Sequence, residues 1–140
     1  IDDKNVSLET MRAVWVPKRN GIFLNIAAGF EEGMNAKYVV PGFNAEEAVT
    51  FPDNSQGYLE SLNHAFTFST NNNVEVKCFS TSFNKTEIVK SAAGMGVPLN
   101  QIWPCYYARE KWCGVCESCQ RFRRAVRTAG VEESVKGCFA

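Results

Sequence analysis

Apolar and polar positions divide the chain into short, punctuated blocks. Ala13-Val14-Trp15-Val16 is an apolar run stopped by Pro17, the pattern of a short buried strand. From Ile22 to Glu32, the residues Ile22, Phe23, Ile26, Ala27 and Phe30 recur at helical spacing, which predicts a helix with these side chains in the core. Gly33 and Asn35 suit its C-terminal end. Ala36 to Val40 reads as a second strand ended by Pro41-Gly42, and Phe43 to Asn54 as a loop. Ser55 to Ser69 is periodic again, with Tyr58, Leu59, Leu62, Ala65 and Phe66 on one face, until Asn71-Asn72-Asn73 breaks it.

Val74 to Phe79 alternates as a strand does. Asn84-Lys85-Thr86-Glu87 has the form of a capping box and opens a helix to about Ala93, closed by Gly94 to Pro98. Residues 99–103 suggest a last short strand, and a helix is expected from about Ser118 to Thr128. Strands separated by helices imply a parallel sheet with crossovers, hence an α/β fold. Ligands of such sheets collect beyond the carboxyl ends of the strands. The segments Pro17-Lys18-Arg19-Asn20 and Gly42 to Glu47 would therefore share one rim.

The length of 140 residues suits one domain with a real core, and 45% apolar residues argue against disorder. Fifteen basic side chains balance fifteen acidic ones, so a dedicated polyanion binder is not expected. The charge is uneven. Residues 1–70 carry 5 basic and 9 acidic groups, net −4; residues 105–127 carry 6 and 2, net +4. The basic segment is either a solvated face or an attractor of anions or RNA. No run of eighteen apolar residues occurs, so no membrane span is expected. The opening Ile1-Asp2-Asp3-Lys4 does not read as a signal peptide, and it lacks an initial Met, so a preceding segment is expected.

Four of the six cysteines form C-x7-C-x2-C-x2-C: Cys105, Cys113, Cys116 and Cys119. Overlapping CxxC steps aim thiolates at one centre, and a tetrahedral zinc takes four of them at about 2.3 Å. Gly114 supplies the permissive backbone of the knuckle. A ferredoxin-type cluster would continue with a fourth cysteine, where Gln120 to Arg123 stands instead. A closed four-cysteine set predicts structural zinc. Cys78 is expected as a buried thiol and Cys138 has no assigned role. His64, the only histidine, falls in a helical pattern and suits packing or exposure better than catalysis.

On the rim, Arg19 and Asn20 are placed just before a helix N-terminus, where Arg19 could grip a phosphate or carboxylate. The plainer reading is a surface Arg with Asn20 as N-cap. Asn44, Glu46 and Asp53 could read a purine-like edge or hold Mg2+, or could simply be polar turn residues.

Taken in order, several segments resemble one family, the 7-cyano-7-deazaguanine synthases. Val16 to Leu24 is similar to its V-P-x-R-N-x-x-F-L segment. Gly42 to Glu46, with Phe51-Pro52-Asp53, resembles its G-x-N-x-x-D…Y-P-D loop, though Ala48 to Phe51 departs from the usual pattern. Asn84 to Val89 is similar to N-K-x-E-I-V, and Trp103 to Cys119 to its W-x-C…C-G-x-C-x-x-C knuckle.

The resemblance implies an adenine-nucleotide alpha-hydrolase-like, Rossmann-like sandwich of the ATP-pyrophosphatase group. It divides the chain into a partial ATPase domain, 1–104, and a zinc knuckle with a C-terminal helix, 105–140. It implies ATP with Mg2+, 7-carboxy-7-deazaguanine and ammonia as reactants and structural Zn2+ on Cys105, Cys113, Cys116 and Cys119. Arg19, Asn20, Asn44 and Asp53 would lie in the nucleotide–substrate crevice of a cytoplasmic homodimer without direct nucleic-acid binding. The family's S-G-G-x-D-S loop does not occur in this sequence, so the chain is expected to be part of a longer enzyme. The rivals are another ATP-pyrophosphatase, such as a tRNA thiolase, and a non-enzymatic zinc-ribbon module that touches RNA.

Overall fold

The computed structural model describes residues 15–140. It divides into two compact units, one ending at Ser82 and the other spanning Phe83–Ala140. The Asn84 helix therefore shares a unit, and a core, with the cysteines.

In the first unit, α1 (Arg19–Met34) leads to β1 (Tyr38–Val39), the one-turn α2 (Ala45–Ala48), a 3-10 turn (Pro52–Asn54), α3 (Gln56–Ser69) and β2 (Glu75–Val76). β1 and β2 pair in parallel, Tyr38 opposite Glu75 and Val39 opposite Val76, with α3 in the crossover. The expected parallel pairing is thus present, as two strands of two residues. Asn63 on α3 reinforces it. Its side-chain amide donates to the Val76 carbonyl at 2.9 Å and accepts from the Val76 N–H at 2.7 Å, taking a third strand's place at that residue.

The first core gathers Leu24, Ala28, Phe43, Leu59, Leu62, Phe66, Val74 and Val76. On α3 the expected face is largely right: Leu59, Leu62 and Phe66 are buried. On α1 it is wrong. The buried positions are Gly21, Leu24, Ala28 and Glu31. Ile22, Phe23, Ile26 and Phe30 are 53%, 62%, 54% and 69% exposed. The helix is apolar on two sides, so its strongest stripe did not mark the side that packs. Its end follows expectation: Asn35 adopts φ 53°, and the Asn35 and Ala36 amides close on Glu32 and Glu31.

Other boundaries moved. Ala13 and Val14 of the first expected strand lie outside the described residues; Trp15 and Val16 are not in a strand, and Trp15 stacks on Phe51 at 5.6 Å. The expected loop 43–54 contains α2 and the 3-10 turn, because Asn44 and Pro52 start helical turns there. Residues 99–101 form a 3-10 turn rather than a strand, since the Gln101 amide turns back to the Pro98 carbonyl.

The second unit contains α4 (Lys85–Gly94), that 3-10 turn, α5 (Glu117–Thr128) and a 3-10 turn (Glu132–Val135). The Asn84 capping box forms as expected. Its core holds Val89, Leu99, Ala125, Val126 and Val135 around Trp112 and three of the cysteines. Phe122 and Phe139 meet Trp112 edge-on at 5.6 and 4.9 Å. The chain end is tied to it as well, through Trp112 N–H to the Cys138 carbonyl and Ala140 N–H to the Trp112 carbonyl, at 2.9 and 2.8 Å. Among the described residues, no helix is long and apolar enough to cross a membrane.

Candidate metal centre and the rim of the parallel sheet

The Sγ atoms of Cys105, Cys113, Cys116 and Cys119 all lie within 4.8 Å of one another. A zinc at about 2.3 Å from four sulfurs sets them about 3.8 Å apart, so a small inward movement completes a tetrahedron. Three of the four are buried and Cys116 is half-buried. The approach to α5 builds the cage. Cys116 is the N-cap of that helix, and its sulfur accepts the Cys119 N–H at 3.4 Å. One step earlier, the Cys113 sulfur accepts the Cys116 N–H at 3.3 Å. Cys105 comes from the preceding loop and accepts from Tyr107 and Cys113 amides at 3.4 and 3.5 Å. Gly114 makes the turn possible: its φ is +70°, and a β-carbon there would press on the Arg123 guanidinium at 2.8 Å.

Donors that point at sulfur favour thiolate, the form that binds metal. Backbone N–H groups, that of Cys116 foremost, bring Cys113 down to about 6. At Cys116 burial opposes ionisation, but the Tyr106 and Cys119 amides outweigh it and the net shift is downward. Cys119 lies deepest, fully enclosed, and burial pushes it up to about 12. A divalent cation is what would let all four ionise together. The donor set therefore fits a metal of zinc's preferences.

Cys78 and Cys138 stand apart from this group. Cys78 is half-buried, with its thiol directed at the Phe43 carbonyl at 3.5 Å. Cys138 points toward the Asn100 carbonyl at 4.0 Å. His64 is exposed and packs edge-on against Phe68.

The four expected rim residues occupy different settings. Arg19 and Asn20 are the first residues of α1, not its approach, and Lys18 is the N-cap with φ 61°. Arg19 is exposed. Asn20 donates to the Asp53 backbone carbonyl at 3.5 Å, so these two come together. The Asp53 carboxylate accepts from the Asn54 side chain at 3.2 Å. Asn44 is 3% exposed and caps α2, its side-chain oxygen accepting the Glu47 N–H at 3.1 Å.

Two further residues belong to this corner. The Tyr58 hydroxyl sits over Gly21, where any β-carbon would collide with it. Burial, and then the Asp53 charge, raise the Tyr58 phenol above its ordinary value, so it remains a hydrogen-bond donor at neutral pH. In the sequence Tyr58 carried only the signal of a core face; the adjacency of Gly21 to the Arg19-Asn20 pair was the available clue. Nearby, a recess of about 230 Å³ opens between α1 and the carboxyl end of β1. Asn20, Phe23, Leu24, Ala27, Val39, Val40, Pro41 and Phe43 line it.

A family model described as queuosine biosynthesis protein QueC matches residues 1–130. Three similar proteins each bear the name 7-cyano-7-deazaguanine synthase. That of Bdellovibrio bacteriovorus is 51% identical over 132 residues, 94% of this chain and 57% of that protein. That of Carboxydothermus hydrogenoformans is 51% identical over 116 residues, 83% of this chain and 54% of its own length. That of Pelotomaculum thermopropionicum is 48% identical over 132 residues, 94% and 60% respectively. The chain thus spans a little over half the length of these curated relatives.

Proposed function

The chain belongs to the queuosine biosynthesis protein QueC family, and from that membership we propose that its protein makes 7-cyano-7-deazaguanine from 7-carboxy-7-deazaguanine, ammonia and ATP. The observation that carries this reading is the ordered match over residues 1–130, joined to relatives of that name at 51% identity. The finer fold assignment, an adenine-nucleotide alpha-hydrolase-like sandwich with residues 1–104 as its partial ATPase part, goes with the same reading. It is supported by the parallel β1–β2 pair with its helical crossover.

The chemistry has a simple logic. A carboxylate is a poor acyl donor because oxide is a poor leaving group. Attack of its oxygen on the α-phosphorus of ATP forms one P–O bond and breaks another, releasing pyrophosphate. Ammonia then displaces AMP to give the amide. A second adenylation, on the amide oxygen, lets AMP leave with that oxygen as two N–H protons are lost, and the nitrile forms. Each step moves negative charge on phosphate, which Mg2+ carried in with ATP would balance.

On this chain Arg19 would meet an anionic group, a role supported by its exposure in the first turn of α1. Asn20 and Asp53, joined across the rim, would hold the neighbouring polar edge of nucleotide or substrate. Asn44 acts by holding its loop, since its oxygen is committed to the α2 cap. Cys105, Cys113, Cys116 and Cys119 would hold a zinc that supplies fixed structure, since four protein ligands leave no open position for chemistry.

A cytoplasmic homodimer acting on small molecules completes the reading, on the strength of the family. Direct nucleic-acid binding is not part of it. Arg121, Arg127 and Lys136 are paired with Glu117, Glu132 and Glu133, and Arg123 lies over the Phe139 ring. The test is an assay of the protein containing this chain with ATP, Mg2+, ammonia and 7-carboxy-7-deazaguanine, followed by mass spectrometry. Amide and then nitrile are expected, and Arg19→Ala should lower kcat/KM about a hundredfold. A zinc-loaded, folded protein that forms neither product would overturn the proposal.

A further inference from the structure

Trp15 and Phe51 meet beside the start of α1, with rings 4° from parallel and centroids 5.6 Å apart, and Trp15 is still 38% exposed. Both rings are held from the backbone. The Arg19 N–H closes a turn on the Val16 carbonyl at 3.2 Å, and Lys18, at φ 61°, takes the left-handed position that a type II turn requires. Trp15 therefore leaves the start of α1 in a fixed direction. Phe51 donates its N–H to the Glu47 carbonyl at 2.7 Å and accepts the Asn54 N–H at 2.9 Å. An aromatic surface held and partly open in this way takes a further flat ring at little cost in side-chain order, since stacking needs only a π-face.

Asp53 belongs to the 3-10 turn that Phe51 begins. Its backbone carbonyl accepts from Asn20, and its carboxylate accepts from the buried Asn54 side chain. The Tyr58 phenol lies close enough for the Asp53 charge to add to the rise that burial causes in its pKa. A carboxylate only accepts hydrogen bonds. It matches an edge with two adjacent donors, such as the N1–H and 2-amino group of a guanine-type ring. Adenine presents an acceptor at N1 instead, which a carboxylate repels.

Building on the reaction given above, we propose that Trp15 and Phe51 are the platform on which the 7-deazaguanine ring of the substrate stacks, with Asp53 reading its N1–H and 2-amino edge. The corner then selects the acid against the adenine of ATP. The arrangement also suits the charges. The 7-carboxylate projects from the far side of the bicycle, so it stays away from the Asp53 carboxylate and remains free to be adenylated.

Kinetics of the protein containing this chain test it, with 7-carboxy-7-deazaguanine and ATP varied in turn. Trp15→Leu keeps apolar bulk but removes the flat ring. It should raise KM for the acid about tenfold and leave KM for ATP and kcat within about twofold. Trp15→Phe should restore most of the affinity, and Phe51→Leu should follow Trp15→Leu. Unchanged constants in both leucine variants would overturn the proposal. So would a rise in KM for ATP alone, which would give the platform to adenine. Calorimetric titration needs no turnover and so separates this inference from the reaction it builds on. 7-Deazaguanine should bind the wild-type protein about tenfold more tightly than it binds Trp15→Leu. It should also bind the wild type at least about tenfold more tightly than 7-deazaadenine does, a comparison that needs no variant to fold. Those two results uphold the platform even if no nitrile forms; equal binding of the two bases, or none, refutes it.

Discussion

Residues 83–140 close on themselves around four cysteines, whereas the unit ending at Ser82 leaves the outer side of its longest helix bare. The two spend similar sequence on different sources of order. The second unit draws three cysteines into its core beside Trp112 and ties its chain end to that ring, so a metal-sized cage finishes a small fold. The first has a larger aliphatic and aromatic core but only two short strands to organise it. One unit is organised around a cluster of thiols that could hold a metal ion, the other around side chains of α1, α3 and the two strands.

The largest expected effect is at the cage. Zinc bound to such a quartet couples on the order of 10–16 kcal/mol to folding, and Cys119→Ser removes the most enclosed ligand. Elemental analysis should show sub-stoichiometric zinc, and the Trp112 environment should lose its near-ultraviolet dichroism. Full zinc content with an unchanged spectrum would break the contrast. The protons follow in sign. Cys113, near 6, is already thiolate at pH 7, while Cys119, near 12, still carries its proton. Zinc uptake at pH 7 should therefore release fewer than four protons, Cys119's among them, and affinity should fall as pH falls through 6. Calorimetry in buffers of different ionisation enthalpy counts them.

A pair of phenylalanines sharpens the comparison within the first unit. Phe66 is 2% exposed and Phe30 is 69% exposed. Phe66→Ala should cost about 3–5 kcal/mol through lost burial and a cavity. Phe30→Ala in the same chain should stay within about 0.5 kcal/mol. Equal losses, measured by urea unfolding, would mean that the outer side of α1 is packed after all.

These residues also show what could be read from sequence. The quartet was legible because a metal imposes a spacing along the chain, and the turns between ligands are local. The Asn84 box and the Asn35 terminus were legible for the same reason. The working face of α1 was not. Ile22, Ile26 and Phe30 form a better stripe than Gly21, Leu24, Ala28 and Glu31, and periodicity reports that a face is apolar without saying which neighbour covers it. Asn20 and Asp53 were singled out separately, but their meeting depends on a 33-residue return of the chain. The displacement of Arg19 into the helix turned on Lys18 accepting a left-handed conformation, which composition gives no reason to expect.

The smallest effect returns to the second unit and asks whether its local signals matter once the cage is formed. Asn84 accepts the Glu87 N–H at 2.9 Å, and the Glu87 carboxylate accepts the Asn84 N–H at 2.8 Å. Each satisfies a donor that the first turn of α4 would otherwise leave to water. Asn84→Ala removes one half and should cost about 1 kcal/mol, whereas Asn84→Asp keeps an acceptor oxygen and adds a charge that the helix N-terminus favours, and should recover most of it. Urea midpoints of the zinc-loaded protein, followed by Trp103 and Trp112 fluorescence, measure both. α4 packs directly on α5, which begins at two of the ligands, so a loosened cap should register as a lower midpoint of the whole unit. If Asn84→Ala leaves that midpoint unmoved while zinc stays bound, the metal alone orders residues 83–140, and the capping box is only a marker of where the helix starts.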